Sequence, residues 1–178
     1  TYGYARKTTP NLDRWARGAT VFERAYCQVP HTSFSLTSLM TGAYMYSLGK
    51  RGRGGRVRTL PEALRRYGYK TAGFFPPAVF YIDRKDFSSF EESRFGFEYV
   101  KYEFLDAGRR VDQVLKYLGQ NRKKKLFIWA HFFEPHEPYL KHAGFDFGPR
   151  AVDRYDSELA YVDHHLGRRL ARVKRDHP

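Results

Sequence analysis

Three hydroxyl side chains follow a proline at once in Pro30-His31-Thr32-Ser33-Phe34-Ser35. The proline closes an extended segment. An apolar run at helical spacing then begins (Phe34, Leu36, Leu39, Met40) and ends at Gly42. This pattern predicts an elbow: strand, sharp turn, helix, with Thr32 or Ser33 in the first helical turn. Amide N–H groups without helical partners, and the positive end of the helix dipole, point there. An anion binds readily at such a place, and a hydroxyl held there can attack one. The competing reading is that Thr32 only caps the helix. A second cluster is Glu134-Pro135-His136-Glu137-Pro138-Tyr139, after the longest apolar run of the chain. In open parallel α/β sheets, ligands gather beyond the C-terminal ends of strands. His136 can there hydrogen-bond an anion or protonate a leaving oxygen, or it is simply a surface turn histidine.

Other reactive side chains carry less. His131 lies within the apolar run and reads as a core histidine with a satisfied ring. His31 adjoins Thr32, but nothing in the sequence fixes its ring. Lys50 and Arg51 belong to the Gly/Arg loop from Gly49 to Arg58, which has no phosphate-loop spacing but is able to touch an anion. Asp163-His164-His165 are consecutive on a helix, so they diverge and read as solvent-facing rather than as metal ligands.

The elements that position these residues alternate between helix and strand. Thr9 to Gly18 reads as a short helix with Thr9 as cap, Pro10 at the first position, and Leu12 and Trp15 buried. Ala19 to Cys27 reads as a strand entering the elbow. Thr59 opens a helix with a Thr59–Glu62 capping box that stops at Gly68. Tyr69 to Phe75 reads as a buried strand. Residues 78–104 are aromatic and irregular and read as a loop. Residues 106–119 form a helix with Val111, Val114, Leu115 and Leu118 as its apolar stripe. Lys125 to Phe133 is the strongest strand, apolar enough to be central in a parallel sheet. Asp153 to Lys174 is a long helix with Tyr155, Leu159, Val162, Leu166, Leu170 and Val173 on its packed face. The sum is an α/β fold.

The 178 residues are 42% hydrophobic and 17% aromatic, which supports one folded domain, and neither a repeat nor a linker divides it. Cys27 is the single cysteine, so no disulfide forms within the chain. No apolar run is long enough to span a membrane. The net charge of +13 suits an anionic partner, or a generally basic surface. The basic clusters lack the interleaved aromatics of an RNA-binding motif, which argues against nucleic acid as the partner.

Taken in order, several segments resemble the sulfatase family of the alkaline phosphatase superfamily. They are Thr1-Tyr2-Gly3-Tyr4 with Thr8-Thr9-Pro10-Asn11-Leu12-Asp13, then Val21-Phe22-Glu23-Arg24-Ala25-Tyr26, then Leu39-Met40-Thr41-Gly42. Gly68-Tyr69-Lys70-Thr71, the run from Ile128 to Tyr139, and Tyr155 to Gly167 continue the match. The resemblance implies a three-layer α/β/α sandwich with a central, mostly parallel sheet, alkaline-phosphatase-like and incomplete at both ends. It places Thr32 where common sulfatases carry the cysteine or serine that becomes formylglycine. The proline and arginine that follow in that family fall at Phe34 and Leu36. Oxidation of threonine gives a ketone, not an aldehyde, so the usual sulfate-ester mechanism does not carry over.

Thr32-Ser33-Phe34-Ser35 is instead similar to the Thr-x-x-Ser nucleophile segment of phosphoethanolamine transferases and lipoteichoic acid synthases in the same superfamily. That resemblance implies a metal-dependent hydrolase or transferase acting on phosphate or sulfate esters, lipid- or glycan-linked ones included. Thr32 would be nucleophile and metal contact, His136 a second catalytic residue, and Ser35, His131 and Lys50 substrate contacts. A divalent ion (Zn, Mn or Ca) would be held mostly by ligands outside the chain, leaving residues 1–178 as a partial and inactive catalytic domain. A periplasmic, extracytoplasmic or membrane-anchored location is the family's pattern. Two other readings stand beside this one: a catalytically inactive sulfatase-like module, and a basic domain that binds an anionic polymer or membrane surface.

Overall fold

A computed structural model describes residues 2–44, 58–80 and 94–176, of which residues 168–176 are described by backbone alone. The chain forms two compact units. One comprises residues 26–104 and 123–131; the other comprises residues 1–25, 105–122 and 132–178.

The first unit is built on a parallel sheet. Its strands are β1 (Lys70–Phe75), β2 (Tyr99–Tyr102) and β3 (Leu126–Ala130), in the order β2-β1-β3. Ala72 pairs with Tyr99 on one side and with Ile128 on the other. Thus β1, not β3, is central among the described strands. Its residues from Thr71 to Phe75 are buried, whereas every residue of β3 is half-buried. Both runs are apolar, and apolarity alone does not rank two strands that each have one well-covered face. Strand β2 falls inside the stretch expected to be an irregular loop; its Tyr-Val-Lys-Tyr alternation is short enough to pass for loop.

Helices α2 (Thr32–Thr41) and α3 (Leu60–Arg66) belong to this unit. At the start of α3 the capping box forms as expected: Thr59 Oγ1 accepts the Glu62 amide at 3.4 Å, and Glu62 accepts the Thr59 amide at 3.1 Å. The core joins Met40, Phe75, Val79, Phe95 and Phe97, with Leu36, Val100, Phe127 and Trp129 against it. Phe97 stacks on Phe127 with ring centroids 6.0 Å apart, and Phe75 meets Tyr102 edge-on at 5.0 Å.

The second unit contains α1 (Pro10–Ala16), α4 (Ala107–Gln120, capped by Asp106) and α5 (Ala151–Asp176). Of the apolar stripe expected on α5, Leu159, Val162 and Leu166 are half-buried, and the Leu170 and Val173 side chains lie outside the described residues. The fully buried positions of α5 are Asp153, Asp156, Ser157, Glu158, Ala160 and Asp163, while Tyr155 is exposed. The acids are buried because the polar opening segment lies on them. Arg6 donates to Asp153 and to Asp156, both at 2.7 Å, and Tyr4 donates to Asp156 at 2.9 Å. Asp163 is 1% exposed, not solvent-facing. Its carboxylate accepts the Asn11 amide at 2.9 Å and the Leu12 amide at 2.8 Å, which closes the first turn of α1. Thr9, the expected cap, makes no side-chain cap bond.

Leu12 and Trp15 are exposed rather than buried, and they line an open apolar groove with Val21, Phe22 and Val152. Residues 19–27 form no strand. Val21, Phe22 and Tyr26 are exposed, and no described strand offers that segment a ladder.

Candidate active site

Helix α2 settles which hydroxyl of the elbow is available. Its N-cap is His31, in extended conformation and without a side-chain cap bond. The His31 carbonyl accepts the Ser35 amide at 2.9 Å, so Thr32 is the first helical residue and not the cap. The amides of Thr32, Ser33 and Phe34 have no intrahelical acceptor, and the positive end of the dipole surrounds them. Thr32 is exposed, while Ser33 is buried at 3% exposure. Of the two hydroxyls, Thr32 is thus the one that faces solvent in the first turn. Ser33, Thr37 and Met40 form the buried stripe of α2, and Thr37 returns its hydroxyl to the Ser33 carbonyl at 2.7 Å. Leu39, expected on the apolar face, is exposed. Ser35 is half-buried and shares the Thr32 face at a spacing of three residues. The His31 ring packs on Phe34 at 4.5 Å, which gives it a fixed place beside Thr32. Gly42 closes the helix at φ 66°, a conformation that glycine adopts without strain.

His131 follows β3 directly and is half-buried, so it stands at the rim of the sheet rather than in its core. Its amide donates to the Phe74 carbonyl at 2.9 Å, extending the ladder by one rung. Lys50 lies outside the described residues, and so does Arg51.

His136 belongs to the second unit, where its turn is braced from several sides. The Glu134-Pro135 and Glu137-Pro138 peptide bonds are cis. Glu134 accepts the Ala107 amide at the head of α4 at 2.9 Å. Tyr139 packs edge-on against Tyr155 at 5.4 Å. Two buried residues of α5 hold the following segment: Glu158 accepts the Leu140 amide and Ser157 the His142 amide, each at 3.0 Å. Burial pushes the Glu158 carboxyl above its ordinary pKa. Sequence reasoning passed over both residues, because a polar side chain on a helix reads as solvent-facing until its partner is placed. The His136 ring is exposed, stacks on Phe133 at 4.5 Å, and holds Nδ1 2.8 Å from the Glu137 carbonyl. A carbonyl only accepts, so Nδ1 carries the proton and Nε2 is the basic nitrogen turned outward.

Among the described residues, no group of three or more His, Cys, Asp or Glu side chains fits a metal ion. His164 and His165, expected to diverge toward solvent, are half-buried and meet edge to face with ring centroids 5.3 Å apart, packed on Phe145 and Tyr161. No described helix is long and apolar enough to cross a membrane.

The sulfatase family model matches residues 1–178, and the chain belongs to the sulfatase family. In structure it is similar to the C-terminal periplasmic domain of EcEptC from Escherichia coli, with 21% identity and a TM-score of 0.67. That match covers 98% of this chain and 54% of that one. The same domain is known in complex with Zn. The lipoteichoic acid synthase LtaP from Listeria monocytogenes matches at 18% identity and a TM-score of 0.71, over 95% of this chain and 47% of its own. An alkaline phosphatase superfamily protein from Vibrio parahaemolyticus matches at 18% identity and a TM-score of 0.70, over 95% of this chain and 45% of its own. The chain thus spans about half the length of these structures and has their α/β fold, as its sequence implied. Comparison with curated proteins gives no match.

Proposed function

We propose that residues 1–178 are the nucleophile-bearing part of a catalytic domain that acts on a phosphate or sulfate ester, with phosphate the expected substrate class. The observation that carries this reading is the exposed Thr32 at the first position of α2, beside three amides with no helical acceptor. In the proposed reaction Thr32 Oγ attacks the phosphorus, forming a phosphothreonine as the bond to the leaving oxygen breaks. The hydroxyl proton passes to solvent, and the leaving oxygen takes a proton from Nε2 of a protonated His136. Water or an acceptor hydroxyl then takes the phosphoryl group from Thr32. The α2 amides hold the phosphoryl oxygens. Ser35 supports that turn from the same helix face, and His131 and Lys50 are substrate contacts.

The described residues do not by themselves compose a metal centre. From its family, a divalent ion (Zn, Mn or Ca) is proposed for the whole protein, with Thr32 as the ligand from this chain. The Zn complex of the similar E. coli domain supports that assignment. The same domain is periplasmic, which supports an extracytoplasmic location and substrates on lipid or glycan.

The test is a trap. The full-length protein is quenched while turning over a phosphodiester, and its peptides are examined by mass spectrometry. A phosphate on Thr32 supports the reading; turnover with no modification at Thr32 opposes it.

A further inference from the structure

A cleft of about 660 Å³ opens in the first unit at the N-terminal end of β1, lined by Arg58, Arg65, Arg66, Lys70 and Tyr69 with Glu62 and Glu98. The cations come from separate stretches: the residue before the N-cap of α3, the last turn of α3, and the first residue of β1. The preference of cations for a helix C-terminus accounts for Arg65 and Arg66 but for neither Arg58 nor Lys70. The two carboxylates are already engaged. Glu62 accepts the Thr59 amide at 3.1 Å in the capping box, and Glu98 accepts the Thr71 amide at 3.0 Å. Arg65 reaches Glu98 only at 3.9 Å. Four cations and two carboxylates thus line one concavity, which leaves an excess of positive charge there even with Arg65 and Glu98 paired at 3.9 Å. Lys125 extends the field, because its carbonyl accepts the Lys70 amide at 2.8 Å and brings the run Lys123-Lys124-Lys125 alongside.

We propose that this cleft is a second oxyanion site, for a phosphate group, distinct from Thr32. Guanidinium pairs grip phosphate oxygens in bidentate fashion, and Lys70 adds a point charge. Thr32 and the other residues of α2 line no part of this cleft. The phosphate comes either from a soluble species or from an anionic lipid headgroup.

The test measures inorganic phosphate by calorimetry and phosphatidylglycerol vesicles by co-sedimentation, against phosphatidylcholine vesicles as reference. The proteins are the wild type, Arg66→Ala/Lys70→Ala, and Arg14→Ala/Lys116→Ala as a control of equal charge. Thermal melts check that each is folded. A loss of at least tenfold in phosphate affinity in the cleft variant but not in the equal-charge control supports the site with a soluble ligand. Vesicle binding lost only in the cleft variant, with no phosphate binding in the wild type, supports it with a lipid ligand. Equal loss in the control variant, or no binding of either probe, overturns it.

Discussion

The His31 carbonyl accepts the Ser35 amide at 2.9 Å, so His31 is the N-cap of helix α2 and Thr32 its first residue. Thr32 therefore has no capping duty, and Thr32→Ala is expected to leave stability nearly unchanged. A lost cap typically costs about 1 kcal/mol. Urea denaturation distinguishes these: a shift well below that figure agrees with the geometry, and a full cap's loss opposes it.

The Asp163 carboxylate accepts the amides of Asn11 and Leu12 and also the Asn11 side chain, at 2.8 to 2.9 Å. Asp163→Ala leaves those partly exposed donors without their acceptor. The expected cost is about 1–3 kcal/mol. Hydrogen exchange at the Leu12 amide should accelerate more than at Phe74, which sits in the other unit; equal rates at Leu12 in both proteins would sink the assignment.

Arg150 and Arg6 hold the Asp153 carboxyl well below the usual carboxylate range. A lowered folded value means that this contribution is present above the ordinary aspartate pKa and fades as pH falls below it. The melting temperature of the chain should drop on acidification below about pH 4, where the unfolded carboxylate begins to take up protons. Asp153→Asn should melt lower near neutrality and show a flatter acid limb. An unchanged acid limb in that variant would contradict the linkage.

Much of this was legible in the sequence, and the failures share a cause. Capping boxes, buried strands and the hydroxyl-rich elbow are local patterns, so Thr59–Glu62, β1 and the start of α2 read correctly. Buried polar contacts are not local. Asp153, Asp156, Ser157, Glu158 and Asp163 look like a solvated helix face until Arg6, Asn11, Leu140 and His142 arrive from elsewhere in the chain. The basic cleft was hidden in the same way, since Arg58, Arg66 and Lys70 belong to no single charge run. Thr32 and Ser33 were indistinguishable by type; only the helix phase, which buries one and exposes the other, separates them.

His136 presents Nε2 outward with Nδ1 fixed on the Glu137 carbonyl. As proton donor to the leaving oxygen, it should matter most for poor leaving groups. His136→Gln in the full-length protein is expected to lower kcat by about 100- to 10,000-fold for an alkyl phosphodiester. The loss should be far smaller for a nitrophenyl ester, whose leaving oxygen needs no proton. Equal losses for both substrates would make His136 a binding residue and not a proton donor.

The central claim concerns one oxygen atom. Thr32→Val removes the hydroxyl and keeps the shape. Its turnover of a phosphodiester by the full-length protein is the most direct measurement, with Thr32→Ser alongside. The account predicts loss of turnover in Thr32→Val, to the background without enzyme, and partial activity in Thr32→Ser. Turnover at the wild-type rate in folded Thr32→Val would contradict it.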